Sequence, residues 1–71
     1  MQLTKREYQV LTLACNSDKQ IAKQLGISLS TAHTYIFQLF NKFVVNNRSQ
    51  LLVEALRQNA ITLEDIILRL E

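Results

Sequence analysis

A single glycine, Gly26, and not one proline leave this 71-residue chain very little with which to turn sharply. A β-sandwich or barrel needs many tight turns, and glycine and proline are the residues that make them. Helices joined by short connections remain, so the expected fold class is all-α. With 48% hydrophobic and 20% charged residues the chain can furnish one core, and it is too short for a second. A domain this small buries only about 60% of the surface its unfolded chain exposes, which leaves no room for a substrate cavity and favours pairing with a second copy.

The same counts exclude several classes of function. Cys15 stands alone, so no internal disulfide can form, and with His33 the only histidine no set of four Cys/His zinc ligands can be assembled. No nucleophile stands beside a base in a matched motif and no glycine-rich phosphate loop is present, so neither an enzyme nor a cofactor is expected. No apolar run approaches the roughly 18 residues of a membrane span. Met1-Gln2-Leu3-Thr4 also lacks the basic-then-apolar order of a signal peptide, and the expected setting is the reducing cytoplasm. The net charge of +2 is unevenly spread. Residues 1–48 hold Lys5, Arg6, Lys19, Lys23, Lys42 and Arg48 against Glu7 and Asp18, whereas residues 49–71 are net acidic. The basic part is where a polyanion would dock.

Thr4-Lys5-Arg6-Glu7 has the form of a capping box, with Leu3 and Tyr8 placed to staple the entry. Tyr8, Leu11 and Cys15, beside Val10 and Ala14, recur at helical spacing and predict a first helix from Thr4 to about Cys15, with Cys15 an inert core thiol. Ser17-Asp18-Lys19-Gln20 repeats the box ahead of Ile21, Ala22 and Leu25, giving a second helix over 18–25. Gly26 closes it, because a left-handed residue past a helix end costs any side chain with a Cβ about 1 kcal/mol or more.

Ser28 caps a third helix whose apolar stripe is Ala32, Ile36, Leu39, Phe40 and Phe43. Its opposite face carries Ser30, His33, Thr34, Phe37 and Asn41. Val44 follows, and because a β-branched side chain disfavours positive φ, the cap that ends this helix is expected at Asn46 or Asn47. Asn47-Arg48-Ser49-Gln50 opens a fourth helix through Leu51, Leu52, Ala55 and Leu56 to about Gln58. Thr62-Leu63-Glu64-Asp65 has the form of one more start, with Ile66, Ile67 and Leu70 as its stripe, although the apolar spacing from Leu52 to Leu70 also suits one continuous helix. The core is expected to hold Val10, Leu11, Ile21, Leu25, Ile36, Leu39, Phe40 and Phe43.

Two short helices meeting at a turn centred on Gly26, the second with a polar outer face, form the helix-turn-helix layout. In it one helix braces on the nucleic-acid backbone while the next, about 10 to 12 Å across, enters a major groove about 12 Å wide. The residues Leu3-Thr4-x-Arg6-Glu7-x-x-Val10-Leu11, then Ser17-x-Lys19-x-Ile21-Ala22-x-x-Leu25-x-Ile27-Ser28-x-x-Thr31, then Lys42-x-x-Val45-x-x-Arg48, resemble the LuxR-type, or GerE-like, DNA-binding domain over about Leu3 to Leu56. The resemblance implies a four-helix LuxR-type helix-turn-helix domain at residues 1–58, followed at 59–71 by an additional C-terminal helix for dimerisation or core capping. It further implies a sequence-specific transcriptional regulator, a homodimer that inserts helix three into the major groove of double-stranded DNA.

Carried onto this sequence, the resemblance makes Lys19, Thr31, Tyr35 and Lys42 phosphate contacts, with Tyr35 standing where the family usually has histidine. His33, in place of the usual lysine, would reach base edges together with Thr34 and Phe37, and Ser30 shares their face. There are departures. The connection between the first two helices is about two residues shorter than usual, Val44 takes a glycine position, and Asp18 replaces an asparagine where a carboxylate would repel phosphate. Leu51, Leu52, Ala55 and Leu56 make an apolar band wider than so small a core needs and are the expected dimer contact. The alternative is a protein-interaction module that keeps this scaffold and pairs with another transcriptional regulator, motivated by the missing lysine, by Asp18 and by the acidic C-terminal third.

Overall fold

Four α-helices and one 3-10 turn make up the regular structure of the computed structural model, which describes residues 2–66; no strand occurs among them. The first helix, α1 (Lys5–Thr12), opens on the expected box: the Glu7 amide donates to Thr4 Oγ1 at 3.1 Å and the Thr4 amide to Glu7 Oε1 at 2.9 Å. It ends three residues earlier than its periodicity suggests. Thr12 Oγ1 donates to the Gln9 carbonyl, and the amides of Leu13, Ala14 and Asn16 reach back only three residues, which tightens the chain into a turn. Helical phase is lost there, so Cys15 leaves the stripe and is exposed rather than a core thiol, while Leu13 and Ala14 go inward.

Helix α2 (Asp18–Leu25) is capped by Ser17 Oγ, which accepts from the Gln20 amide, and closed by Gly26 at φ 66° and ψ 35°. A Cβ at Gly26 would meet nothing within 4 Å, so glycine is favoured there by its backbone angle and not by crowding. Ser28 caps α3 (Leu29–Phe43) by accepting from the Thr31 amide.

The end of α3 departs from expectation. Val44 itself takes the left-handed cap, at φ 56° and ψ 51°, and the Val45 amide donates to the Phe40 carbonyl at 3.0 Å. Buried Phe43 on one side and Val45 packed on the core on the other fix the chain's exit. That packing outweighs the cost of about 1 to 2 kcal/mol for a side chain in this conformation. Neither Asn46 nor Asn47 ends the helix; Asn47 instead caps the next one, its Oδ1 accepting from the Gln50 amide at 2.9 Å.

Helix α4 (Arg48–Arg57) stops where Asn59 turns left-handed at φ 58° and the Ala60 amide reaches the Ala55 carbonyl, which rules out one continuous helix. Thr62 then leads into a single 3-10 turn, Leu63–Asp65, in place of the full helix start expected there. Ile67 and Leu70, the rest of that expected stripe, lie outside the described residues.

Helix α3 packs against each of the other three helices. Val10, Leu11, Ile21, Ile36, Leu39 and Phe43 are buried as expected, joined by Leu13, Ala14, Ala22, Ala32, Leu51, Ala55 and Ile61. Leu25 and Phe40, expected inside, are half-buried at the core's rim.

Candidate nucleic-acid interface

Each residue of α3 is turned about 100° from the last, so the side chains sort by direction. Ala32, Ile36, Leu39 and Phe43 fill the core. On the opposite side run Ser30, Thr34, Phe37 and Asn41, with Gln38 beside them, all exposed. Thr34 Oγ1 donates to the Ser30 carbonyl at 3.0 Å. Phe37 is 61% exposed and forms a T-shaped pair with Phe40, with centroids 5.9 Å apart and planes at 87°, so its ring is braced on one side and still largely on the surface.

One flank of α3 faces α1 and holds Tyr35 and Lys42. Lys42 Nζ donates to Glu7 Oε1 at 2.6 Å and to the Gln2 carbonyl at 3.0 Å. Glu7 is only 5% exposed, and the Lys42 hydrogen bond first, then the Thr4 amide, hold its carboxyl below the ordinary 4.5. Lys42, expected at phosphate, is thus engaged within the fold, and Tyr35 is half-buried against the core.

Toward the other flank stands His33, exposed and about 70° round from the middle of that ridge. Its Nδ1 meets Oδ2 of Asp18, the first residue of α2. The other carboxylate oxygen, Oδ1, is buried against Nη2 of Arg48, the first residue of α4. Arg48 Nη1 also donates to the carbonyls of Ala14, at 3.0 Å, and Asn16. One guanidinium therefore closes the short α1–α2 connection and pins the start of α2, using the fan of donors that only arginine carries. Asp18 does not stand as a lone negative charge before a phosphate: its charge is balanced inside the domain.

Lys19 and Thr31, the remaining expected phosphate contacts, are exposed, and Thr31 Oγ1 accepts from Ser28 Oγ at 2.8 Å. Lys5, Lys19 and Lys23 are exposed cations with no ion-pair partner among the described residues. In α4 the expected dimer band is divided. Leu51 and Ala55 are wholly buried in the subunit's own core and present no surface to a partner, whereas Leu52 and Leu56 are half-buried and Val53 is exposed. Sequence reasoning missed the keystone role of Arg48 and the exposure of Leu29 and Gln38 on α3. A helical wheel centred on the buried stripe would have found Gln38; nothing local points Arg48 at Asp18.

Among the described residues no three His, Cys, Asp or Glu side chains gather as a metal site, and no helix is long and apolar enough to cross a membrane. The family model for bacterial regulatory proteins of the luxR family matches residues 1–55. The chain is 41% identical over 61 residues to the probable transcriptional regulator ycf29 of Cyanophora paradoxa, covering 83% of this chain and 29% of that protein. It is 40% identical over 63 residues to the spore germination protein GerE of Bacillus subtilis, covering 86% of this chain and 85% of that one. No solved structure gives a match. With the motif residues standing on four helices in the expected order and the family model spanning all of α1 to α3 and most of α4, the chain belongs to the luxR family of bacterial regulatory proteins.

Proposed function

We propose that this chain is a sequence-specific DNA-binding regulator of transcription that sets α3 into the major groove as a homodimer. The observation that carries the reading is the uncovered ridge Ser30, Thr34, Phe37 and Asn41 on a helix otherwise enclosed by the rest of the domain. Hydroxyl and amide groups there match base-edge donors and acceptors, and the exposed Phe37 ring suits a thymine methyl. Lys19 and Lys23, on α2 packed against α3, and Thr31, in the first turn of α3 itself, would hold the phosphates that set the ridge's register, with Lys5 as a further cation. The luxR-family membership and the regulator named among the relatives support the same reading.

Salt dependence tests it. With Lys42 and Arg48 engaged internally, Lys19, Lys23 and Lys5 leave two or three phosphate contacts per subunit and a log-log slope of about −4 to −5 for a dimer. Lys19→Gln should flatten that slope by about 2 per dimer, while Lys42→Gln should leave it alone. A slope near zero for the unaltered protein would overturn DNA binding and favour the interaction module that pairs with another regulator. For the dimer, Leu52, Leu56 and Val53 offer the outward part of α4 to a two-fold copy. Because Val53 is exposed, Val53→Asp should leave the helices intact while sedimentation reports a monomer; an unchanged sedimentation coefficient for a dimeric parent would place the contact elsewhere.

A further inference from the structure

We infer that the corner joining α3 to α4, with Val44 at its tip, is a contact surface for a second copy of this chain. The inference rests on the homodimer reading and extends the contact from α4 to that corner. Val44 is the observation that asks for a reason. It stands at φ 56° and ψ 51°, a conformation that a β-branched residue disfavours, and its side chain is 88% exposed. The neighbours Phe43 and Val45 fix the backbone there, so the Val44 side chain itself gains almost nothing inside its own subunit. An apolar group held in a fixed direction in solvent is how an interface residue stands in an isolated subunit.

Val44 lines an open groove together with Phe43, Val45, Gln50, Val53 and Glu54, and it is shared with a smaller groove beside Phe40 and Asn41. Val53, 62% exposed on the outward side of α4, is the other projecting apolar group. Size is the first reason for choosing a second copy as the occupant. With ten residues α4 is about 15 Å long and roughly 10 Å across, so the one side it can offer covers on the order of a few hundred Å2. A standard interface takes about 800 Å2 from each partner. A dimer through α4 must therefore spread onto adjoining surface, and the groove makes the Val44 corner continuous with Val53.

Charge is the second reason. Glu54 is the only charged side chain lining the groove, and it is held by Arg57 at 2.8 Å and by the Gln58 amide at 3.0 Å. A surface without a free cation does not draw phosphate, whereas two copies of it meet without setting unpaired like charges face to face. In a two-fold contact the same groove is used twice, so each Val44 enters the groove of the other copy and both are covered at once.

Valine methyl spectra of the unaltered chain test this. There are four valines, Val10, Val44, Val45 and Val53, and Val10, wholly buried in the core, serves as the internal reference. Across a dilution series the Val44 and Val53 signals should move together along the dimerisation curve while Val10 stays in place. In a sample mixed from labelled and unlabelled protein, isotope-filtered NOEs to Val44 should cross between copies. A Val44 signal that ignores concentration while Val53 follows it overturns the inference and leaves the α4 dimer standing. Val44→Gly should weaken dimerisation about tenfold or more in sedimentation, because two apolar side chains leave the interface. Glycine suits that backbone, so weaker pairing with an unchanged circular dichroism spectrum does not come from a damaged fold. Leu63→Asp, at a side chain 75% exposed outside the groove, should pair as the parent does. Unchanged dimerisation in Val44→Gly, or a loss in Leu63→Asp alone, refutes the corner as the contact. A parent that is monomeric at every concentration, free and on DNA, overturns the homodimer reading and this inference with it.

Discussion

Two carboxylates, Glu7 and Asp18, each sit in the first turn of a helix and each meets a side chain from a flank of α3, yet they serve different ends. Glu7 is enclosed, caps its own helix and meets Lys42, so both partners are used up by the fold. Asp18 takes its cation from α4 and so has an oxygen to spare for His33, whose ring stays half in solvent. A carboxylate on one flank is scaffold, and on the other it stands against a residue that stays half in solvent. What separates them is where the balancing cation comes from: α3 itself in the first case, which ties that flank to α1, and α4 in the second, which leaves the His33 ring half in solvent.

The strongest way to break this contrast is to remove the cation that Asp18 takes from α4. Arg48→Ala strands two carbonyls and a buried carboxylate oxygen, and should cost about 3 kcal/mol or more in urea unfolding. His33→Ala should cost well under 1 kcal/mol in the same assay, because an exposed partner adds little stability. A small effect of Arg48→Ala would show that the Asp18 cluster is not a keystone.

Next in size is the Glu7 flank. Lys42→Gln should cost about 1 to 3 kcal/mol by leaving a buried carboxylate without its cation. The pH profile sharpens the point. The folded-state pKa of Glu7 is lowered, so its contribution is fully present above the ordinary 4.5 and is lost as pH falls through the lowered value. Urea midpoints measured from pH 7 to pH 3 should therefore fall more steeply for the unaltered protein than for Glu7→Gln. Glu54 and Asp65, whose carboxyls are also held low, are common to both proteins, so the difference isolates Glu7.

The smallest effects belong to the two left-handed helix ends on either side of α3. Gly26→Ala should cost about 1 kcal/mol, since only its backbone angle objects, whereas Val44→Gly should gain up to about 1 kcal/mol by relieving a β-branched residue at φ 56°. Thermal melts of both variants check the pair. A loss on Val44→Gly would mean that its largely exposed side chain contributes more than its backbone costs.

By itself the sequence determined whatever is decided within three or four residues. The caps Thr4, Ser17, Ser28 and Asn47, the left-handed Gly26 and the stripe through Ala32, Ile36, Leu39 and Phe43 follow from hydrogen bonds and side-chain directions that span one helical turn. Where α1 ends was not legible, because Cys15 fits the helical period and only the tightened turn takes it out of phase. The electrostatics of the site belonged to the tertiary structure alone. Lys42 and Glu7 are 35 residues apart, and Arg48 meets the Asn16 carbonyl across 32, separations at which no local periodicity applies. Packing likewise drew Leu51 and Ala55 inward and held Val44 in a conformation its own side chain disfavours. Local chemistry chose the helices, and only their packing decided which charges face each other and which stay free to meet a ligand, because a charge's partner is fixed by distance in space and not along the chain.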